Sequence, residues 1–67
     1  MTNLQKHRLA KGLSQSQLAR KADVSVRAIQ NYEINARDIN KGYAIMVAKL
    51  AKALDVSIWD IFNPEGE

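Results

Sequence analysis

The sequence predicts a small all-helical fold, and three features indicate it. Apolar residues recur at helical spacing in several short segments. Most of these segments begin at a serine or threonine that can cap a helix N-terminus. The residues between the segments are often glycine, aspartate or asparagine, which tolerate the left-handed backbone of a sharp turn. With 67 residues, the chain has room for one domain and none for a separate catalytic or cofactor domain.

The first two helices have local start signals. The first should run from residue 3 to about residue 11, capped by Thr2 and stopped by Gly12. The second should begin directly after Ser14, because this residue is a good N-cap and Gln17 completes a capping box with it.

The third helix follows a turn too short to let it lie beside the second. The apolar spacing of the second helix ends at Asp23, and Ser25 repeats the N-cap. The third helix should therefore run from Val26 to Glu33 or Ile34. Two helices joined in this way form a helix-turn-helix, whose second helix enters the major groove of DNA.

One face of the third helix carries side chains that can read base edges. At 100° per residue, Ile29 points to the interior, and the outer face holds Val26, Arg27, Gln30 and Asn31. Arg27 can donate two hydrogen bonds to guanine, and Val26 can contact a thymine methyl group. Gln30 or Asn31 can pair with adenine. Any one of these residues alone would be read as a solvated helix face, but the helix-turn-helix context favours contact with nucleic acid.

The remaining helices complete the core. A loop should span residues 35–40, and the fourth helix should cover residues 41–54. Its inner face, by periodicity, comprises Tyr43, Val47, Leu50, Ala51 and Leu54. Ser57 should cap a short fifth helix. Residues 1–63 should form the domain and residues 64–67 a flexible C-terminal tail.

Taken together, these segments resemble the Cro and cI-type helix-turn-helix family, which includes lambda-repressor-like phage regulators and xenobiotic-response-element-like (XRE-like) bacterial regulators. The matching residues are Leu4, Arg8, Lys11, Gly12, Leu13, Gln15, Gln17, Leu18, Ala19, Val24, Ser25, Ile29, Leu50 to Leu54, Ser57, Ile58, Ile61 and Phe62. The resemblance implies a compact five-helix lambda-repressor-like domain, with the helix-turn-helix formed by helices 2 and 3. Asp23 and Asn35 stand where the family usually has glycine.

The resemblance also implies roles for individual residues. Gln15 matches a glutamine that binds a DNA phosphate and braces the recognition helix, and Ser14 can add a second phosphate contact. These contacts position the protein and do not specify a sequence. Arg8 and Glu33 occupy the positions of a family ion pair, for which we expect a structural role.

The charge distribution fits a phosphate-facing surface. Residues 1–37 carry seven Lys or Arg against two acidic residues, a net +5, and residues 38–67 carry three against five, a net −2. Further phosphate contacts are expected near predicted helix ends, from Lys11, Arg37, Asn40 and Lys41. At Asn40 and the start of the fourth helix, backbone N–H groups would be the donors. Phosphate contact and a solvated helix face are equally good interpretations of Lys6, Arg20 and Lys21.

Three apolar residues are predicted to be exposed and to form a dimer contact. They are Ile45, Met46 and Trp59. Family members commonly bind DNA as two-fold dimers, so this patch can meet a second copy of the chain. Single exposed apolar residues are also common without any partner.

Catalysis, cofactors and metals have little support in the sequence. There is no cysteine, which excludes disulfides and thiolate ligands. His7 is the only histidine and has no carboxylate cluster at ligand or triad spacing, and the serines at helix starts are explained by capping. No apolar run is long enough to span a membrane, and the cytoplasm is the expected compartment.

The sequence therefore predicts a regulator that binds specific double-stranded DNA and is not an enzyme. Blocking of an operator is the simplest mechanism for so short a chain, which favours a repressor. The alternative is a protein-interaction module, such as an antitoxin that grips a toxin through Ile45, Met46 and Trp59. No small-molecule substrate is indicated.

Overall fold

The computed structural model describes residues 1–63, which form five α-helices and one short 3₁₀ helix. The α-helices are α1 (Asn3–Ala10), α2 (Gln15–Ala22), α3 (Val26–Glu33), α4 (Ala44–Leu54) and α5 (Ile58–Ile61). These 63 residues contain no strand, so the predicted all-helical class is confirmed. The predicted flexible tail, residues 64–67, lies outside the described residues.

The first three helices begin where their capping residues predict. The hydroxyls of Thr2, Ser14 and Ser25 each accept a hydrogen bond from the backbone N–H three residues later, at 3.3, 3.0 and 3.1 Å. At α2 the capping box is complete, because Gln17 Oε1 accepts the Ser14 N–H at 2.8 Å. These bonds satisfy N–H groups that the first turn of a helix leaves without a partner.

Three of the links between helices are built alike. Gly12, Asp23 and Asp55 adopt left-handed backbone with φ of 71°, 56° and 57°. In each link the next residue is apolar and donates its N–H to the carbonyl five residues earlier, at 3.0 to 3.2 Å. This pattern is a Schellman ending. The residue after it is Ser14, Ser25 or Ser57, so each link ends one helix and begins the next within three residues.

The core lies where α4 packs against α2 and α5, with α1 packed on α3 and α5. Its fully buried large side chains are Leu4, Leu18, Ile29, Ile39, Leu50, Leu54 and Ile61. The predicted inner face of α4 is confirmed at Val47, Leu50, Ala51 and Leu54.

The predicted start of α4 is wrong. Residues Ile39–Lys41 form a 3₁₀ helix, and α4 begins at Ala44, three residues later than expected. The side chain of Ile39 is buried in the core, which holds this segment in the tighter turn. Tyr43, which was expected on the inner face, is instead the N-cap residue and 74% exposed.

Candidate nucleic-acid interface

Helix α3 turns the predicted reading face outward. Its inner side is closed by Ile29 and Tyr32, which are 0% and 2% exposed. On the other side Arg27 and Gln30 are exposed, Val26 is 37% exposed and Asn31 is half-buried. The strong separation of apolar and polar residues in eight positions explains why this short helix can pack on one side and present the other.

The polar side chains of this face are not used by the fold. Within residues 1–63, no side-chain hydrogen bond engages Arg27, Gln30 or Asn31. Their donors and acceptors are therefore available to a ligand. Arginine and the amide side chains are the types that form paired hydrogen bonds with guanine and adenine.

A buried charged network fixes the orientation of α3. Arg8 donates from Nε to Glu33 Oε2 at 2.7 Å and from Nη2 to Glu33 Oε1 at 3.0 Å, which is the expected ion pair. Gln15 Nε2 also donates to Glu33 Oε1, at 3.0 Å, and Arg8 Nη1 donates to the carbonyl of Leu13 at 2.8 Å. Both charged residues are under 10% exposed. The network thus joins α1 and α2 to the last residue of α3.

The start of α2 offers donors beside α3. The Ser14 N–H is occupied by Gln17, but the hydroxyl, which accepts one hydrogen bond, keeps its proton for donation. The first backbone N–H groups of α2, at Gln15 and Ser16, have no helical carbonyl partner. An eight-residue helix with free N–H groups attracts an anion such as a phosphate.

Two of the predicted cations lie together beyond the end of α3. Arg37 and Lys41 are exposed and line one surface cavity of about 390 Å³ with Tyr32 and Tyr43. The Arg37 N–H donates to the Asn31 carbonyl at 3.2 Å, which ties this cation to the reading helix. Lys11, the third predicted cation, is exposed at the C-terminal end of α1. Tyr43 was not predicted to lie at this surface, although Gly42 before it signals a break in the helical pattern.

The structure gives Asn40 partners within the fold. Its backbone N–H donates to Asp38 Oδ1 at 3.0 Å, and its side chain bonds to the backbone of Asn63. The N–H groups of Lys41 and Gly42, at the predicted start of α4, donate to the carbonyls of Asp38 and Ile39. Neither these groups nor the Asn40 N–H therefore offer a phosphate the expected donor. Asn40 is therefore a bridging residue between two segments.

Two of the three residues of the expected dimer contact line one groove. Ile45, 74% exposed, and the half-buried Met46 line a groove with Val24 and Tyr43 beside the link between α2 and α3. Trp59 is 75% exposed on α5 and packs edge-on against Phe62, with ring centroids 5.5 Å apart. It is not among the residues that line the groove.

Residues 1–63 contain neither a metal-binding cluster nor a membrane-spanning helix. No group of three or more His, Asp or Glu side chains in this range is placed to hold a metal ion. None of the helices in this range has the length and apolar character to cross a membrane.

Comparison with known proteins identifies the family. The family model described as helix-turn-helix, of the Cro/C1 type and XRE-like, matches residues 4–58. No curated protein and no solved structure matches the chain. The matched range contains α2, α3 and α4 completely and all of α1 except Asn3, and thus includes the whole helix-turn-helix. The chain therefore belongs to the Cro/C1-type helix-turn-helix family of DNA-binding transcription regulators, with a fold consistent with the lambda-repressor-like class.

Proposed function

We propose that the chain represses transcription by binding a specific DNA sequence through α3 and occupying an operator near a promoter. The observation that carries this proposal is the outer face of α3, whose polar side chains have no hydrogen-bond partner within residues 1–63. Repression by occupancy needs only that bound DNA is inaccessible to other proteins. A DNA-binding surface supplies this by itself.

Sequence reading and positioning fall to different residues. We assign base contacts to Val26, Arg27, Gln30 and Asn31. We assign phosphate contacts to Ser14, Gln15, Lys11, Arg37 and Lys41. The first group lies on one side of a single helix, as entry into the major groove requires. The second group flanks that helix and would fix its depth and register on the duplex.

We further propose that two copies bind one operator. The supporting observation is the exposed groove that contains Ile45 and Met46, which a second copy would cover. The alternative use of exposed apolar residues is contact with a different protein, as in an antitoxin. The exposure of Ile45 and Trp59 is the observation that supports this second function.

Binding-site selection from random duplexes, followed by titration of variants, tests DNA reading. Arg27→Ala should lose about 1 to 3 kcal/mol of preference for the selected site over a scrambled one, because a paired contact to one base is lost. Lys11→Ala should weaken binding to both duplexes alike, because phosphate contacts carry no sequence information and the exposed Lys11 side chain takes no part in the network that orients α3. Lys52→Ala is the control, since it removes one exposed positive charge from α4.

Three outcomes would contradict the proposal. One is the absence of any enriched sequence at moderate salt. Another is equal loss of preference in the Arg27→Ala and Lys52→Ala variants. If Trp59→Ala reduces repression of a reporter more than Arg27→Ala does, the protein-interaction function replaces the DNA-reading one.

A further inference from the structure

An asparagine bridge connects the segment after α3 to the end of the described chain. Asn40 Nδ2 donates to the Asn63 carbonyl, and Asn40 Oδ1 accepts the Asn63 N–H, both at 2.9 Å. One side-chain amide thus pairs with both polar groups of one backbone residue 23 positions away. Such pairing reproduces the contact between two neighbouring strands and leaves little freedom to either partner.

The bridge extends to the start of α1. Asn63 Oδ1 accepts the N–H of Asn3 at 3.2 Å, and Asn3 Nδ2 donates to the Phe62 carbonyl at 2.7 Å. Three segments that are distant in sequence therefore meet at three asparagines. Since α1 and α5 also pack against each other, the bridge stands on a rigid support.

The segment that the bridge holds carries two of the proposed phosphate contacts. Arg37 and Lys41 lie three residues before and one residue after Asn40. Between them Ile39 is buried in the core, and the Asp38 side chain caps the 3₁₀ helix. Burial of Ile39 fixes the depth of this segment, and the amide of Asn40 fixes its remaining rotation relative to α5.

We propose that Asn40 is a positioning residue for DNA binding. Its side chain, paired with the backbone of Asn63, holds Arg37 and Lys41 in the orientation that phosphates require. The inference rests on the proposed function. A segment whose backbone is already held in place loses less conformational freedom on binding than a mobile segment. Without the bridge, this ordering would have to occur on the DNA and would weaken binding.

Duplex titration of Asn40→Ala tests the proposal, with Asn63→Ala as the matched control. The first variant loses both bonds of the bridge. The second keeps them, because they use the Asn63 backbone, and loses only the bond to Asn3. Asn40→Ala should bind the selected site about fivefold more weakly, because the backbone around Arg37 and Lys41 would then have to be ordered on the DNA. Asn63→Ala should bind within about twofold of the parent.

Two readouts separate positioning from a general loss of stability. In a background of Arg37→Ala and Lys41→Ala, removal of Asn40 should add no further loss of affinity, because the groups through which it acts are gone. Amide hydrogen exchange without DNA should accelerate at residues 38–42 in Asn40→Ala and stay unchanged in α2 and α3. Both readouts require conditions in which circular dichroism shows the variant to be folded.

The outcomes distinguish this inference from the proposed function. Equal affinity of Asn40→Ala and the parent protein would overturn the positioning role and leave DNA binding standing. If Asn40→Ala causes its full loss of affinity also in the background of Arg37→Ala and Lys41→Ala, the positioning role is likewise overturned and DNA binding stands. Failure of the parent protein to bind any duplex would overturn the proposed function, and the positioning role with it.

Discussion

At the scale of single residues, the buried ion pair of Arg8 and Glu33 is expected to have a large effect on stability. Both side chains are removed from water, a transfer that is costly unless every polar atom finds a partner. Gln15 and the Leu13 carbonyl supply the remaining partners, and no buried side-chain polar atom within residues 1–63 lacks one. The network is therefore expected to respond strongly to loss of either charge.

Replacement of Glu33 by alanine should lower the free energy of unfolding by about 3 to 5 kcal/mol, because Arg8 would be left charged and buried. Urea denaturation followed by circular dichroism measures this difference. Lys49→Ala is the comparison, since Lys49 forms an exposed ion pair with Asp23 at 3.8 Å. It should lower the free energy of unfolding by less than about 1 kcal/mol. Similar losses in the two variants would contradict a special role for the buried pair.

At the scale of elements, the repeated three-residue links explain how five helices fit into so short a chain. In each link one residue in left-handed conformation ends a helix, an apolar residue packs on the core, and a serine opens the next helix. Asp23 and Asp55 occupy the left-handed position in two links and Gly12 in the third. Aspartate tolerates this conformation better than most residues but still carries a Cβ.

The Asp55 position should therefore distinguish alanine from glycine. Asp55→Ala should lower the free energy of unfolding by about 1 kcal/mol, because alanine lacks both the backbone freedom of glycine and the short polar side chain that makes left-handed backbone more acceptable in aspartate. Asp55→Gly should leave it equal or raise it slightly, since the left-handed strain and an acidic charge at a helix C-terminus are both removed. Thermal unfolding of both variants measures the effect. Equal melting temperatures for the two variants would refute this account of the links.

These links also show which parts of the fold could be predicted from the sequence. The starts of α2 and α3 are specified by Ser14 and Ser25, which act within three residues and are visible in the sequence. The start of α4 is not, because the 3₁₀ helix before it depends on burial of Ile39 and on a bond from Asn40 to a residue 23 positions later. Helical periodicity extended backwards from Val47 cannot detect either contact.

The candidate site also has one part that could be predicted from the sequence and one part that could not. The outward face of α3 follows from its spacing, since Ile29 and Tyr32 determine which side is buried. That Ile45 and Met46 line a groove without Trp59 could not be predicted, because it depends on how the helices pack against one another. Contacts between elements that are distant in sequence leave no local pattern in either segment.

At the scale of the whole molecule, the dimensions fit one half of a two-fold operator. The described chain measures 30 × 21 × 20 Å. Recognition helices of a dimer on DNA lie about 34 Å apart, one helical turn of the duplex. We propose that two copies of this size, placed side by side at that distance, meet through the groove that contains Ile45 and Met46.

Substitution of Ile45 by glutamate tests this arrangement on DNA. The variant should bind a single half-site like the parent protein but lose cooperative binding to a palindrome, because a charge would be buried in the contact. Trp59→Glu is the matched variant on the other apolar surface, and it should retain cooperativity if the groove alone forms the contact. Gel-shift titration on one-site and two-site duplexes measures both. Undiminished cooperativity in Ile45→Glu would exclude the groove as the dimer contact.

The unpartnered side chains on the outer face of α3 have a consequence for engineering. Because Arg27, Gln30 and Asn31 make no side-chain hydrogen bond within residues 1–63, exchanging the two exposed residues, Arg27 and Gln30, should leave the melting temperature nearly unchanged, and exchanging the half-buried Asn31 should change it only modestly. Target choice and thermal robustness would then be encoded by separate sets of amino acids. A library randomised at these positions would yield folded proteins in which selection could install new operator preferences on an unaltered scaffold.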